Sequence, residues 1–257
     1  RKIKAVMRKI FKLPVIFTLG ILMVSCGQDP ADSLKVMSYN IHAGIGVDGK
    51  RDLDRIAEII KGQDPDFVGL QEVDDKVTRT GWVDQMDELA RKTGMFHYFA
   101  PAIQFQEGLY GVGALVKKKP LHWYTIPLPD LDEARVLLVL EYEDYVLLNT
   151  HLPLNERSRV SAIDSINRIA KGSRKPVILT GDFNAVPDSA EIMAMSEEWQ
   201  TLSDVNKFTC PAENPSITLD YIMGYKVDGV KYKAVKSSVL NEPDASDHLP
   251  VYVEVKF

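Results

Sequence analysis

The chain has 257 residues, of which 45% are hydrophobic and 26% are charged. This is the composition of a globular protein with a sizeable core, and the length suits one large domain or two small ones. The formal net charge is −5 at pH 7, whereas proteins that grip long nucleic acid usually have a basic surface.

The first 25 residues predict a secretory signal peptide. Residues 7–12 are basic, residues 13–24 form an apolar run too short to span a bilayer comfortably, and Cys26 follows at once. Met7 offers a start, which would make residues 1–6 an upstream extension. The end of the run resembles a bacterial lipoprotein signal, which implies cleavage before Cys26 and a lipid on its thiol; an ordinary signal peptide is the alternative.

Processing at this site would leave a lipidated tether over residues 26–33 and a single catalytic domain over residues 34–257. With Cys26 acylated, Cys210 has no intrachain cysteine partner. Residues 1–25 carry six of the 31 Lys and Arg and no acid, so the processed chain has 25 basic against 36 acidic residues, a formal charge of −11. We therefore expect an extracytoplasmic, membrane-anchored monomer, in the periplasm or at the cell surface, with nucleic acid a less favoured partner.

Predicted strands along the chain end in polar side chains. Alternation of apolar and polar residues predicts a first strand that ends at Asn40, and a later buried strand carries Glu72 near its end. Asp52 caps a helix between them and Gly62 ends it. In chain order, the predicted elements are strand 34–40, helix 53–61, strand 67–73, helix 83–92, strands 95–99, 112–116, 136–142 and 145–149, helix 156–171, a strand from Val177, helix 189–196, and strands 219–223, 230–239 and 251–257.

This order of elements predicts an α/β protein in which two mixed sheets are flanked by helices. Helices interrupt a larger number of strands, and several strand pairs are spaced as hairpins. We expect one domain, because the polar strand ends are spread from Asn40 to His248 and two independent domains could not easily gather them in one site.

The strand from Val177 ends in two polar residues, Asp182 and Asn184. Loops at strand ends are a preferred place for chemistry, but Asp and Asn also favour turns, so this stretch alone supports a plain turn equally well. Gly181 is expected to permit the bend and Phe183 to pack inward.

The polar residues at the other strand ends favour a functional site over a plain turn. They are rich in oxygen ligands and poor in sulfur, which suits Mg²⁺ or Mn²⁺ better than zinc. Mg²⁺ takes few carboxylates and leaves positions for a phosphoryl oxygen. The polar residues at these ends are Asn40, Glu72, His151, Asp182, Asn184, Asp220, Asp247 and His248.

Seven ordered motifs resemble those of the endonuclease/exonuclease/phosphatase superfamily of metal-dependent phosphoesterases. One such motif is weak evidence, but seven in the family's order are specific. The resemblance implies a four-layer sandwich with two packed mixed sheets between helix layers. The motifs are Met37-Ser38-Tyr39-Asn40-Ile41, Leu70-Gln71-Glu72-Val73, Tyr110-Gly111, Asn149-Thr150-His151-Leu152, Gly181-Asp182-Phe183-Asn184, Leu219-Asp220-Tyr221 and Ser246-Asp247-His248-Leu249-Pro250.

The resemblance also implies a metal site and a water-activating group. Glu72 would be the principal ligand of Mg²⁺ or Mn²⁺, supported by Asn40 and by Asp247 on the opposite side. Asp182 would orient or deprotonate the attacking water, whose pKa a nearby cation lowers.

Further groups are implied around the phosphate. Asn184 and His151 would donate to the phosphoryl oxygens and stabilise the charge that grows there. Asp220 and His248 would form a carboxylate–imidazole pair in which the charged ring faces the phosphate.

Three residues away from the strand ends complete the predicted site. Tyr110 would donate to the phosphate or to the leaving oxygen, and Arg135 and Arg79 would bind substrate; each of these residue types is more often a packing or surface residue. The remaining histidines are expected to be structural or exposed to solvent, and they are His42, His97 and His122.

These observations predict a hydrolase that cleaves a phosphate ester by in-line attack of a metal-associated water. Superfamily relatives hydrolyse DNA, RNA tails, phosphoinositides and sphingomyelin. The charge of −11 and the lipid anchor favour a phosphodiesterase acting on a small or lipid-like substrate. The alternatives are an extracytoplasmic endo- or exonuclease and a catalytically silent binding lipoprotein, although a binding protein has no need to retain both a metal set and Asp182.

Overall fold

The computed structural model describes residues 33–257, so the predicted signal peptide and almost all of the predicted tether lie outside the described residues. Within this range the chain forms twelve strands, four α-helices and two short 3-10 helices, His42–Gly44 and Thr78–Thr80. The strands and α-helices are β1 (Leu34–Asn40), α1 (Leu53–Gln63), β2 (Phe67–Asp75), α2 (Gln85–Thr93), β3 (Phe96–Phe105), β4 (Gly108–Val116), β5 (His122–Leu128), β6 (Arg135–Glu141), β7 (Val146–His151), α3 (Glu156–Lys171), β8 (Val177–Asp182), α4 (Ala190–Glu198), β9 (Trp199–Thr201), β10 (Asp220–Tyr225), β11 (Lys233–Val239) and β12 (Val251–Lys256).

The strands form two six-stranded mixed sheets, which confirms the predicted fold class. Sheet I has the order β11-β12-β1-β2-β4-β3, and sheet II has the order β5-β6-β7-β8-β10-β9. Each sheet contains one parallel pair, β1 with β2 and β7 with β8, and the other neighbours are antiparallel.

Alternation of side chains along the strands builds the four layers. Successive residues of a strand point to opposite faces, so in β1 Val36 enters the core between the sheets while Met37 packs towards α1 and α2. In β8, Ile178 enters the core between the sheets and Leu179 packs towards α3 and α4. Each sheet is therefore covered by apolar contacts on both faces.

The space between the sheets changes from apolar to polar along the strands. In each of three strands the inward-facing residues begin with an apolar side chain and end with a polar one. These residues are Val36, Ser38 and Asn40 in β1, Leu147, Asn149 and His151 in β7, and Ile178, Thr180 and Asp182 in β8. All nine residues are buried. The polar ends of these three strands meet at one end of the domain, which we call the site end.

Buried hydrogen bonds in the middle of this space tie the two sheets together. Asn149 of sheet II donates through Nδ2 to the carbonyl oxygens of Leu70, at 2.9 Å, and Gly113, at 2.8 Å, both in sheet I. Its Oδ1 accepts from Gln71 Nε2 at 2.7 Å and from Thr180 Oγ1 at 3.0 Å. The side-chain amide of Asn149 therefore has partners for all its hydrogen-bonding groups, so its burial costs little free energy.

Several local predictions need correction. The prediction missed β5 and β9; β5 lies at a sheet edge, where exposed residues blur the alternation. Gly62 does not end α1, because the helix continues to Gln63 and Asp64 caps it in the left-handed conformation with φ of 48°. Asp52 does cap its start, accepting from the backbone of Asp54 and Arg55.

The turn at Gly181 also differs from the expectation. Gly181 lies inside β8 and its φ is not positive; a Cβ there would lie 2.6 Å from the carbonyl oxygen of Thr150 on β7. Glycine is required for close strand contact rather than for a bend. Phe183 packs inward as predicted, fully buried and stacked on Tyr221 with ring centroids 4.9 Å apart.

Candidate active site

Asp182 lies at the centre of the site end. Its Oδ2 accepts a hydrogen bond from Asn40 Nδ2 at 3.0 Å and lies 3.6 Å from Nε2 of both His151 and His248. Its Oδ1 accepts from the backbone nitrogen of Asn184 at 2.9 Å. One buried carboxylate thus joins side chains from both sheets.

A β-bulge turns Glu72 towards this centre. Leu70 and Val73 both pack against the helices of sheet I, and the register of β2 with β4 shifts between them. Glu72 has a φ of 57°, in the left-handed region that non-glycine residues rarely occupy. Bulges re-aim side chains in this way, and as a result Glu72 Oε1 accepts from the same Asn40 Nδ2, at 3.0 Å.

The imidazole of His248 is held between two carboxylates. Its Nδ1 is 2.8 Å from Asp220 Oδ2, and its Nε2 faces Asp182. Burial by itself disfavours the charged ring, but Asp220, with further contributions from Cys210 and Asp182, outweighs it and raises the pKa of His248 well above its ordinary value. The two carboxylates therefore favour the charged form of the His248 ring.

His151 has the opposite protonation state. Asn184 Nδ2 donates to the carbonyl oxygen of Leu152 and to His151 Nε2, both at 2.9 Å. The carbonyl can only accept, which fixes Nδ2 as the donor and leaves Nε2 of His151 as an acceptor, with the ring proton on Nδ1. Burial lowers the pKa of His151 to about 4, in agreement with this neutral tautomer.

Asp247 and His42 border the site from the side of β1. Ser246 Oγ donates to the carbonyl oxygen of Asn40 at 2.7 Å, which fixes the position of the loop. Asp247 Oδ1 lies 3.8 Å from His42 Nδ1. Burial raises the pKa of Glu72, and the neighbouring charge of Asp247 adds to this effect while that of His42 opposes it.

His42 lies beside the predicted site residues although the sequence analysis did not include it among them, and its side chain is 39% exposed. The signal was its position two residues after Asn40, but a histidine in a loop also fits a solvent-facing role. Its φ of 46°, followed by 53° at Ala43, forms a tight turn that brings the ring back towards Asp247.

Tyr110, Arg79 and Arg135 lie together beside this centre. Arg79 donates to both carboxylate oxygens of the buried Asp74, at 2.8 and 2.9 Å, and its guanidinium lies 5.5 Å from the ring centroid of Tyr110. Burial, together with the charge of Glu72, raises the pKa of Tyr110 well above its ordinary value, so its hydroxyl keeps its proton.

Arg135 is buried and pairs with Glu133, but its Nε has no hydrogen-bond partner among the described residues. Its positive charge adds to the effect of burial in lowering the pKa of His151, and it offsets part of the rise in the pKa of Tyr110. A cavity of about 120 Å³ next to it is lined by Arg79, Ile103, Phe105, Tyr110 and Glu133. The structure thus brings all eleven predicted site residues to one end of the domain.

Two groups at this end offer ligands for a divalent cation. Asp182, Asp220 and His248 are buried and present ligand atoms within 4.8 Å of one another. The other group is the predicted one, Glu72 with Asn40 and Asp247. Burial is the main cause of the raised pKa of Glu72, and the neighbouring charges of Asp247 and Asp182 add to it; a bound cation would offset these negative charges.

The chain resembles several solved structures in fold. An endonuclease/exonuclease/phosphatase from Bacteroides vulgatus has 19% identity and a TM-score of 0.73, covering 88% of this chain and 100% of that one. A mannosyl-6-phosphatase from Bacteroides thetaiotaomicron has 18% identity and a TM-score of 0.71 over the same shares. The human nocturnin catalytic domain, solved with sulfate, has 22% identity and a TM-score of 0.68, covering 88% and 94%. At these identities the likeness shows the fold alone.

Sequence comparison identifies the family. No curated protein sequence matches this chain. The model of the Endonuclease/Exonuclease/phosphatase family matches residues 37–248, a span that begins in β1 and ends at His248 and so includes every residue of the predicted site. The chain therefore belongs to the endonuclease/exonuclease/phosphatase family, whose enzymes hydrolyse phosphate esters and use divalent metals.

Proposed function

We propose that this chain is a divalent-cation-dependent phosphodiesterase that cleaves a small substrate by in-line attack of a water molecule. The supporting observation is the position of Asp182 Oδ2. It lies between the Asn40–Glu72 pair on one side and the imidazolium of His248 on the other. A group that accepts a proton is thus placed between a cation-binding side and a positively charged side.

We assign the cation to Glu72, Asn40 and Asp247 rather than to the Asp182, Asp220 and His248 group. In the second group, Asp220 and His248 are already paired with each other, with His248 Nδ1 2.8 Å from Asp220 Oδ2, and Asp182 is needed to accept a proton. A bound Mg²⁺ or Mn²⁺ would neutralise charge on a phosphoryl oxygen and lower the pKa of water.

The surrounding side chains would divide the remaining tasks. Asp182 accepts the proton of the attacking water, for which its Oδ2 is well placed. The imidazolium of His248 and the guanidinium of Arg135 stabilise negative charge at phosphorus. Tyr110, whose hydroxyl stays protonated, donates to the phosphate or to the leaving oxygen.

Asn184 has a more limited role than the sequence suggested. Both of its amide hydrogens are already donated, to Leu152 and His151. We propose that Asn184 holds His151 in its neutral tautomer, and that donation to the phosphate comes from the charged groups.

The charge and the site favour a small substrate. The cavity of about 120 Å³ beside Tyr110 suits a small group esterified to the phosphate, and the processed chain would carry a net charge of −11, which repels long nucleic acid. A lipid-like phosphodiester has the same reacting group, so it belongs in the test together with sugar phosphates and DNA.

Hydrolysis of bis-p-nitrophenyl phosphate tests the proposal. We expect turnover with Mg²⁺ or Mn²⁺, loss of turnover with EDTA, and a strong decrease for Glu72→Gln. Glu58→Gln is the matched control, because Glu58 is an exposed acid on α1. Equal rates for all these samples would contradict the enzyme hypothesis and would favour the alternative, a catalytically silent binding lipoprotein.

A substrate panel separates the remaining alternatives. Phosphodiesters with small alcohol groups, sugar phosphates, sphingomyelin, phosphoinositides and plasmid or single-stranded DNA would be compared at equal concentration. If DNA were cleaved preferentially and its cleavage weakened as salt rises, a nuclease would become the preferred function, because protein binding to DNA phosphates weakens with salt.

A further inference from the structure

The end of the domain opposite the active site has an exposed edge rich in aromatic residues. β3 and β5 are the outer strands of sheets I and II, and the rings of Tyr98 on β3 and Trp123 on β5 have centroids 5.3 Å apart. Beside this contact four large apolar side chains are exposed, and we call them the aromatic edge: Phe96, Leu121, Trp123 and Tyr124.

Strand registers place this edge far from the active site. Phe96 pairs with Val116, which also pairs with Phe67 at the start of β2. His122, next to Leu121, pairs with Glu141, which pairs with Val146 at the start of β7. The site residues lie at the other ends of the parallel strands, five residues further along β2 and β7, or about 16 Å at ~3.3 Å per residue.

The chain enters the domain at the same end as the aromatic edge. β1 begins at Leu34, and the Lys35 backbone carbonyl accepts from the nitrogen of Asp66, which directly precedes β2. Lys117, which follows β4, is paired with Asp64 and Asp66. The predicted lipid on Cys26 lies only eight positions before Leu34 in the sequence, so attachment through that lipid would bring this end of the domain close to the bilayer.

The chemistry of the edge suits the interface of a bilayer. Trp and Tyr concentrate at the level of lipid headgroups, where an apolar ring and a polar atom are both accommodated. Lys119 lies over the Phe96 ring, with Nζ 4.6 Å from its centroid, and its long stem can reach the phosphates. Glu143 and Asp144 on the neighbouring hairpin equal Lys118 and Lys119 in number. Arg168, Arg174 and Lys175 line a pocket with Tyr124, so positive charge would add to the affinity that ring insertion supplies.

We propose that the aromatic edge lies in the headgroup layer of the bilayer to which the N-terminal segment attaches the protein. The active site then faces the aqueous phase, away from that bilayer. The proposal stands without the phosphoesterase activity, and it restricts the substrate of any such activity to molecules that are dissolved or carried on another surface.

Two exposed tryptophans at opposite ends of the domain allow a direct test. Trp123, 48% exposed, lies on the aromatic edge, whereas Trp82, 54% exposed, follows β2 at the site end. Trp199 is buried and provides a constant background. The processed protein, beginning at lipidated Cys26, would be reconstituted in phosphatidylcholine vesicles with and without brominated acyl chains, which quench tryptophan fluorescence on contact.

In the Trp82→Phe variant, which keeps Trp123, we expect brominated lipid to quench the tryptophan fluorescence. In the Trp123→Phe variant, which keeps Trp82, we expect most of this quenching to be lost. Leu121→Glu in the Trp82→Phe background should reduce the quenching, and the melting temperature of each variant checks its fold. Quenching of Trp82 alone would place the active site at the membrane and overturn the proposal.

Absence of quenching would also overturn the proposal. A concentration-dependent dimer that Leu121→Glu abolishes would overturn it too, because a second copy of the chain would then cover this edge.

Discussion

The two ends of the space between the sheets are built from the same strands but from different side chains. At the entry end, Val36, Leu147 and Ile178 belong to one continuous apolar core. At the site end, the same strands contribute Asn40, His151 and Asp182, all buried. The distance between the two environments is only four residues along each strand.

This difference shows how the fold supports a polar site inside a protein. Buried charges and amides are costly unless each has a partner, and the apolar end supplies the burial that holds both sheets in place. The layer between them, centred on Asn149, has its hydrogen bonds satisfied across the sheets. The site end can therefore be rigid without being apolar.

If the two ends are separable, substitutions at the site end should change activity far more than stability. Asp182→Asn is expected to lower kcat by about 10²- to 10⁴-fold, as for removal of a general base. Asp188→Asn makes the same change at an exposed position six residues later and should leave kcat close to that of the unaltered protein. An unchanged kcat for Asp182→Asn, measured with bis-p-nitrophenyl phosphate, would contradict the role of Asp182.

The acid sensitivity of the site end gives a second test. The folded-state pKa of His151 is about 4 against ~6.5 in an unfolded chain, so between these values the unfolded state binds a proton that the folded state does not. Stability should therefore fall as pH drops from 6.5 to 4, by about 3 kcal/mol from this group.

The comparison variant for this test is His151→Gln, which keeps an acceptor for Asn184. Urea unfolding of both proteins across this pH range, in EDTA, should show a steeper loss of unfolding free energy in the unaltered protein. Parallel curves would mean that His151 is not buried in its neutral form.

Packing between the sheets is expected to give a smaller effect. A Cβ at Gly69 would lie 2.1 Å from Thr180 Oγ1 and 2.6 Å from Asn149 Oδ1, so Gly69→Ala should cost about 1–3 kcal/mol by overpacking. Gly62→Ala, in the exposed part of α1 with no atom within 4 Å, should instead stabilise by roughly 0.5–1 kcal/mol. Equal unfolding free energies for the two variants would contradict the close approach of the sheets.

The smallest effect is expected at the entry end. Tyr142, which is buried, donates through its hydroxyl to the carbonyl oxygen of Lys118 at 2.8 Å. Tyr142→Phe should lower the free energy of unfolding by about 1 kcal/mol and leave kcat unchanged, which thermal unfolding and the same hydrolysis assay would measure. A large loss of activity in this variant would show that the two ends are coupled.

Much of the fold was predictable because it depends on local patterns. The alternation in β1, the buried run of β2, the cap at Asp52 and the apolar stripe of α3 are visible in the sequence, and the structure reproduces α3 at the predicted bounds. Edge strand β5 was missed because most of its residues are exposed, so it lacks the alternation that burial of one face imposes.

The sequence by itself determined which residue types stand at the strand ends, and the order of these motifs indicated the family that the match over residues 37–248 confirms. Only the tertiary structure decided how these groups are charged and aimed. The bulge at Glu72, the tautomer of His151 and the return of His42 towards Asp247 depend on contacts between residues far apart in the chain, and no local pattern encodes a burial or a neighbouring charge that arises only when two sheets pack.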